Sequence, residues 1–298
     1  MNFHERNRNR KNKMRFTLLF LMACSIFSAA QAGVIAGEQP RPVRAEILAD
    51  VSAVTPGVPF EAAVLLKVDP HWHVYWKNPG DSGLPTSVEF TLPRGFTASE
   101  LKWPIPSVFK GAGGLTDYGY EDSLLLSARV TPPSDLEPGT AVKITARVSW
   151  VSCRDICIPG KAGLELEMPV SESARRVNTD LFSEWSARLP VNYSGNTPPF
   201  EIDIKTVPKD ENEYSVVVLL GQKDRFSNIG IYPVPGNSFI VGDIAAGTDE
   251  GSGRSSAALD VKVLPSRGQP RMGLETLVVY TDKDGKRSGY ELEVPLSR

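Results

Sequence analysis

The chain has 298 residues, with 33 Lys+Arg against 35 Asp+Glu and only three histidines. Hydrophobic residues make up 41% and charged residues 23%, which excludes wholesale disorder. A formal charge of −2 lacks the basic excess of a nucleic-acid binder.

The first segment reads as an address. Arg6, Arg8, Arg10, Lys11, Lys13 and Arg15 precede an apolar run from Phe16 to Phe27, followed by Ala30-Gln31-Ala32. This is the pattern of a secretory signal peptide over residues 1–32, and it stands outside the fold. The alternative is a lipoprotein cleavage site at Leu21-Met22-Ala23-Cys24, which would anchor the protein through Cys24. Removing residues 1–32 takes away six basic residues and one acidic residue. That leaves 27 basic against 34 acidic, a net charge of −7. No later apolar run reaches about 18 residues, so no stable membrane insertion is expected. Export implies an oxidising compartment, and the only cysteines left in it are Cys153 and Cys157.

The exported part alternates apolar and polar residues with a period of two. Strands are expected over Val43–Val51, Phe60–Val68, Val74–Lys77, Ser87–Leu92, Leu124–Val130, Val142–Val151 and Leu164–Val170. Pro56-Gly57, Asn78-Pro79-Gly80, Pro93-Arg94-Gly95, Pro138-Gly139 and Pro159-Gly160 punctuate them. About seven strands at this spacing suit an immunoglobulin-like β-sandwich over residues 33–172. Residues 173–198 read as a linker. It holds a short helix capped by Asn178 or Thr179, with Leu181, Phe182 and Trp185 on one face.

A second strand series follows over 199–298: Phe200–Val207, Tyr214–Leu220, Ser238–Val241, Ala257–Val263, Leu274–Tyr280 and Tyr290–Val294. The Gly/Ser-rich stretch Gly247–Ser256 reads as a loop. The expected fold class is therefore all-β: two tandem immunoglobulin-like sandwiches joined by a short helical linker.

Cys153-Arg154-Asp155-Ile156-Cys157 is the one arrangement with obvious chemistry. Four residues of extended strand span roughly 13 Å, while bonded cysteines need Cα atoms about 4.4–6.8 Å apart. A bond between them therefore requires the chain to fold back at Arg154-Asp155. A five-residue loop would add only about 2 kcal/mol of stability, and exposed disulfides are the exchangeable kind. Arg154 would favour a thiolate and Asp155 would oppose it. On the pair alone, a structural bridge, redox exchange and metal binding all stay open.

Other constellations carry less. His71-Trp72-His73 would place two imidazoles on one strand face, a possible copper or zinc seat, or simply side chains framing the site with Trp150 and Arg154. No third and fourth ligand is apparent, and no metal or other cofactor is expected. Asp117 and Glu121 could tune nearby thiols. Gly111-Ala-Gly-Gly114 lacks the Lys-Ser/Thr of a phosphate loop.

The stretch Trp150-Val-Ser-Cys153-Arg-Asp-Ile-Cys157-Ile-Pro159 resembles the N-terminal periplasmic domain of the DsbD/ScsB thiol:disulfide reductases. Asp69-Pro-His-Trp-His-Val-Tyr-Trp-Lys-Asn-Pro-Gly-Asp-Ser-Gly-Leu-Pro85, Trp103-Pro-Ile-Pro106 and Tyr118-Gly-Tyr-Glu-Asp122 are similar to the ScsB branch, as is the Cys-x-x-x-Cys spacing. The resemblance implies a periplasmic protein with Cys153 and Cys157 as a redox pair, Cys157 attacking. It implies a cap loop over Gly111–Tyr120, with Tyr118 or Tyr120 shielding the pair and Asp117 and Glu121 flanking. It also implies two kinds of partner: a DsbD- or CcdA-like transmembrane electron carrier as donor, and periplasmic thioredoxin-like proteins as acceptors. The chain carries neither the membrane domain nor the thioredoxin-like domain of the full-length relatives, so the donor would be a separate protein. The rival expectation is a non-catalytic binding or copper-handling module with a structural disulfide.

Overall fold

The computed structural model describes residues 41–193, 201–221, 226–236, 238–242, 244–249, 254–264, 273–282 and 284–296. The expected signal peptide, with Cys24, lies outside them.

Among the described residues, the first half carries ten strands. They are β1 (Val43–Ala49), β2 (Phe60–Val68), β3 (His73–Gly80), β4 (Ser87–Thr91), β5 (Thr97–Ala98), β6 (Ser107–Lys110), β7 (Thr116–Glu121), β8 (Ser123–Thr131), β9 (Ala141–Cys153) and β10 (Cys157–Pro169). One sheet runs β1-β2-β8-β5 and the other β10-β9-β3-β7-β6, with β4 also paired to β9. Their inner faces meet in a common core. Val64 and Leu66 of β2 and Leu124 and Leu126 of β8 pack against Val74 and Trp76 of β3, Tyr118 and Tyr120 of β7, and Val148 and Trp150 of β9. The period-two pattern of β9 accounts for this: Ile144, Ala146, Val148, Trp150 and Ser152 are buried, and the residues between them face outward.

A single α-helix among the described residues, α1 (Thr179–Ser186), follows. Leu181, Phe182 and Trp185 pack on the first core, as the apolar spacing requires. Asn178 occupies the cap position in the left-handed region and makes no side-chain cap. Its amide donates instead to the Ala49 carbonyl at 2.8 Å, tying the helix start to β1.

The second half holds β11 (Val191–Asn192), β12 (Ile202–Pro208), β13 (Glu213–Leu220), β14 (Phe226–Val234), β15 (Phe239–Val241), β16 (Ala245–Asp249), β17 (Arg254–Val263), β18 (Gly273–Asp282) and β19 (Arg287–Pro295). They form two sheets, β11-β19-β18-β14 and β12-β13-β17-β15, with β16 on β17. Residues of the expected loop Gly247–Ser256 turn out to be ladder: Ala245–Asp249 pair with Arg254–Ala258, and the remaining four residues lie outside the described ones. Small polar residues made that hairpin look like a loop.

The two halves share apolar contacts. Alternation along β18 turns Leu274, Val278 and Tyr280 into the second core, while Leu277 and Val279 join the first. A strand buried on both faces reads as a continuous apolar run, as Leu277-Val278-Val279-Tyr280 does. Lys77 of β3 pairs with Glu275 and Glu291, Asn78 donates to the Pro233 carbonyl at 2.6 Å, and Arg287 donates to the Pro106 carbonyl at 2.8 Å.

Candidate functional site

Cys153 ends β9 and Cys157 begins β10, and the two are direct partners in the antiparallel register. Arg154, Asp155 and Ile156 form the turn, closed by the Arg154 amide donating to the Ile156 carbonyl at 3.1 Å. The fold-back places the two Cα atoms 4.1 Å apart, and the sulfurs are bonded. The two cysteines differ in access: Cys153 is 4% exposed, whereas Cys157 belongs to the exposed tip. Ile156 beside it is 60% exposed, an apolar contact at the tip of the hairpin.

The turn charges cancel locally. The Arg154 Nε donates to the Asp155 carboxylate at 2.9 Å, and the guanidinium lies over the Trp72 ring, 5.1 Å from its centroid. Their opposed expected influences on a thiolate are thus coupled in one exposed pair.

Sheet parity decides what else faces the cysteines. His73 of β3 is the register partner of both Cys153 and Glu121, and Glu121 shares its face of β7 with Asp117. Phe109 of β6 is opposite Asp117 and therefore lies on the same face. Its ring stacks on His73 with centroids 4.5 Å apart and planes 14° from parallel. Tyr75 meets the imidazole edge-on, with centroids 5.1 Å apart. Burial lowers the pKa of His73, and the carboxylates of Asp117 and Glu121 oppose that shift. His73 Nε2 is buried, with no hydrogen-bond partner.

Asp117 is a buried carboxylate, held by the Ser82 amide at 2.9 Å and the Ser82 hydroxyl at 2.6 Å. Asp81 accepts from the Thr116 amide at 2.7 Å. Together they fasten the 80–82 turn to the β6–β7 hairpin. Gly113 and Gly114 at the hairpin tip have φ of +75° and +85°, which favours glycine there.

Several expected site residues fall elsewhere. Thr116–Glu121 is strand rather than open loop, and parity sends Tyr118 and Tyr120 to the core face, away from the cysteines. Tyr118 packs edge-on against Trp76 and Tyr232, and burial pushes its hydroxyl up to about 12. The Tyr120 hydroxyl donates to the Pro104 carbonyl at 2.7 Å, and burial raises its pKa well above the ordinary value. Trp150 also faces the core, its ring lying on Gly160 at the base of the cysteine hairpin. His71 does not share a strand face with His73. It sits in the Asp69–Trp72 turn with φ +68°, exposed, before β3 begins. Among the described residues, no group of three or more His, Cys, Asp or Glu side chains could hold a metal ion. The residue missed was Phe109. Ser107-Val-Phe-Lys110 does not alternate, and four residues between a proline segment and a glycine turn gave no strand signal of their own.

The first half is thus an immunoglobulin-like all-β sandwich with a cross-strand cystine at a hairpin tip. Residues 39–169 match the model of the family described as thiol:disulfide interchange protein DsbD, N-terminal. The N-terminal periplasmic domain of ScsB from Proteus mirabilis shares the fold, with a TM-score of 0.58 at 16% identity, over 87% of this chain and 95% of that one. The reduced DsbD N-terminal domain of Neisseria meningitidis aligns with 44% of this chain and 89% of its own, at 6% identity and a TM-score of 0.26. No curated protein matches the sequence. Among the described residues, no helix is long and apolar enough to cross a membrane.

Proposed function

We propose that the protein is a periplasmic relay for reducing equivalents. A membrane electron carrier reduces the Cys153–Cys157 bond, and the resulting dithiol reduces disulfides of periplasmic thioredoxin-like proteins. One observation carries the reading: the bonded pair is split in access, with Cys157 exposed at a hairpin tip and Cys153 buried beneath it. Exchange requires a sulfur that a partner reaches and a second that stays sheltered until the mixed disulfide forms. In this relay Cys157 attacks and Cys153 resolves. Ile156 gives the tip an apolar surface for the partner.

The family match over residues 39–169 supports the interchange chemistry, and a secretory signal over residues 1–32 would bring the domain to the periplasm. The test uses the full chain, reduced, with an oxidised periplasmic thioredoxin-like protein as acceptor. Cys153→Ser/Cys157→Ser is expected to reduce the acceptor no faster than buffer. A reduction potential nearer about −200 mV than −300 mV is the matching equilibrium result. Undiminished transfer by the cysteine-less chain would overturn the proposal.

A further inference from the structure

We infer that His73 is the proton acceptor for the Cys153 thiol in the resolving step. The inference rests on the exchange reading above and adds a residue to it. Three observations converge on this imidazole. It is the cross-strand register partner of Cys153, and such pairs hold their Cβ atoms about 4.5–5.5 Å apart. Its Nε2 is buried without a hydrogen-bond partner. Its ring is held by two aromatic contacts, Phe109 stacked at 4.5 Å and Tyr75 edge-on at 5.1 Å.

A buried ring nitrogen without a partner, on the residue that faces Cys153 across the ladder, has a simple meaning. Buried polar atoms are almost always satisfied, and exceptions call for a cause. In the disulfide, Cys153 has no proton to share. Reduction gives it an S–H, the donor that Nε2 lacks. Burial favours the neutral imidazole, the form able to accept a proton, and the ionised carboxylates of Asp117 and Glu121 stabilise the imidazolium once it forms. Of the other charged groups, Arg154 at the hairpin tip engages Asp155, and Lys161 shares the strand face of Cys157 further along β10.

The step balances as follows. Cys157 is joined to the target in a mixed disulfide. The Cys153 proton passes to His73 Nε2, and the Cys153 thiolate attacks the Cys157 sulfur. The Cys153–Cys157 bond forms, the mixed bond breaks, and the target sulfur leaves as thiolate with the electron pair. His73 returns its proton to solvent. The protein dithiol is oxidised and the target disulfide reduced.

The probe is dithiobis(nitrobenzoate), mixed with the reduced full chain in a stopped-flow. Attack by Cys157 releases one coloured thiolate, and resolution by Cys153 releases the second. His73→Phe keeps the stack on Phe109, and His73→Gln keeps a polar group without a titration. Both variants are expected to leave the first phase unchanged and to slow the second by about tenfold or more near neutral pH. Their second phase should rise with pH toward the ordinary thiol range near 8.5, whereas the wild-type rate levels off earlier. An independent check needs no His73 variant. In the reduced wild-type chain, the His73 ring resonances should show an extra inflection when Cys153 ionises, and Cys153→Ser should abolish it. Identical second phases in all three chains, or no Cys153-dependent inflection, would overturn the role of His73. A wild-type chain that releases no second thiolate would instead overturn the exchange reading.

Discussion

Gly160 shows how one missing side chain positions the redox hairpin. It pairs directly with Trp150 across β9 and β10, and a Cβ placed there would lie 2.4 Å from the indole ring. That ring is 9% exposed and belongs to the core, so it has no room to swing aside. Gly163 lies three residues further along the same strand with open space around its Cβ position. Neither glycine has a positive φ, so packing alone separates them. Gly160→Ala is expected to destabilise by about 1–3 kcal/mol through overpacking. Gly163→Ala is expected to be neutral or stabilising by up to about 1 kcal/mol, because alanine restricts the unfolded chain. Chemical denaturation of the two variants checks the contrast. Equal effects would mean that the Trp150 contact does not hold the hairpin base.

The β6–β7 hairpin is the element that brings an aromatic ring to the cysteine face, and Asp117 is its fastening. This carboxylate is buried and accepts two hydrogen bonds from Ser82. Asp117→Ala would leave the Ser82 amide and hydroxyl without their acceptor, at a cost of about 2–3 kcal/mol in denaturant melts. Asp117→Asn isolates the charge. Because the Asp117 carboxylate raises the pKa of His73 against the dominant lowering by burial, removing it should move the imidazole titration further down. NMR titration of the His73 ring measures this, and an upward or absent shift would separate Asp117 from the site.

This element also marks where the sequence stopped being legible. A strand with long alternation, such as Val142–Val151, announces itself, because period two repeated over seven or more residues has few alternative meanings, and Phe60–Val68, buried on both faces, announces itself as a nearly unbroken apolar run. The cysteine pair was equally visible, and so was the turn between its members, since the reach of an extended chain demands it. The face that each residue takes was not visible in 107–121. A short strand beside a glycine turn has no fixed register until its partners fix it, and a one-residue slip exchanges the two faces. Hence Tyr118 and Tyr120 looked like shields, although the register with β3 turns them inward and leaves Phe109, Asp117 and Glu121 on the cysteine side. His71 was misplaced for a related reason: alternation was extended two residues before β3 begins.

At the scale of the whole molecule, the two halves share too much buried structure to unfold independently. Leu277 and Val279 pack with the first core, Tyr118 meets Tyr232 at 4.9 Å, and Lys77 bridges Glu275 and Glu291 at partly buried positions. Opening either half alone would expose this surface and leave the Lys77 charge cluster broken, so a single cooperative transition is expected over residues 41–298. The sequence supplies a natural reporter. All five tryptophans lie between Trp72 and Trp185, and the strands beyond contain none. Tryptophan fluorescence therefore follows the first half, while far-ultraviolet circular dichroism follows both. The two melting curves should coincide. Lys77→Met removes the cation from between two carboxylates, and should move both curves down together by about 1–3 kcal/mol. A dichroism curve with a second step that fluorescence does not see, or a Lys77→Met shift confined to one probe, would show two independent folding units and a contact surface that adds nothing to stability.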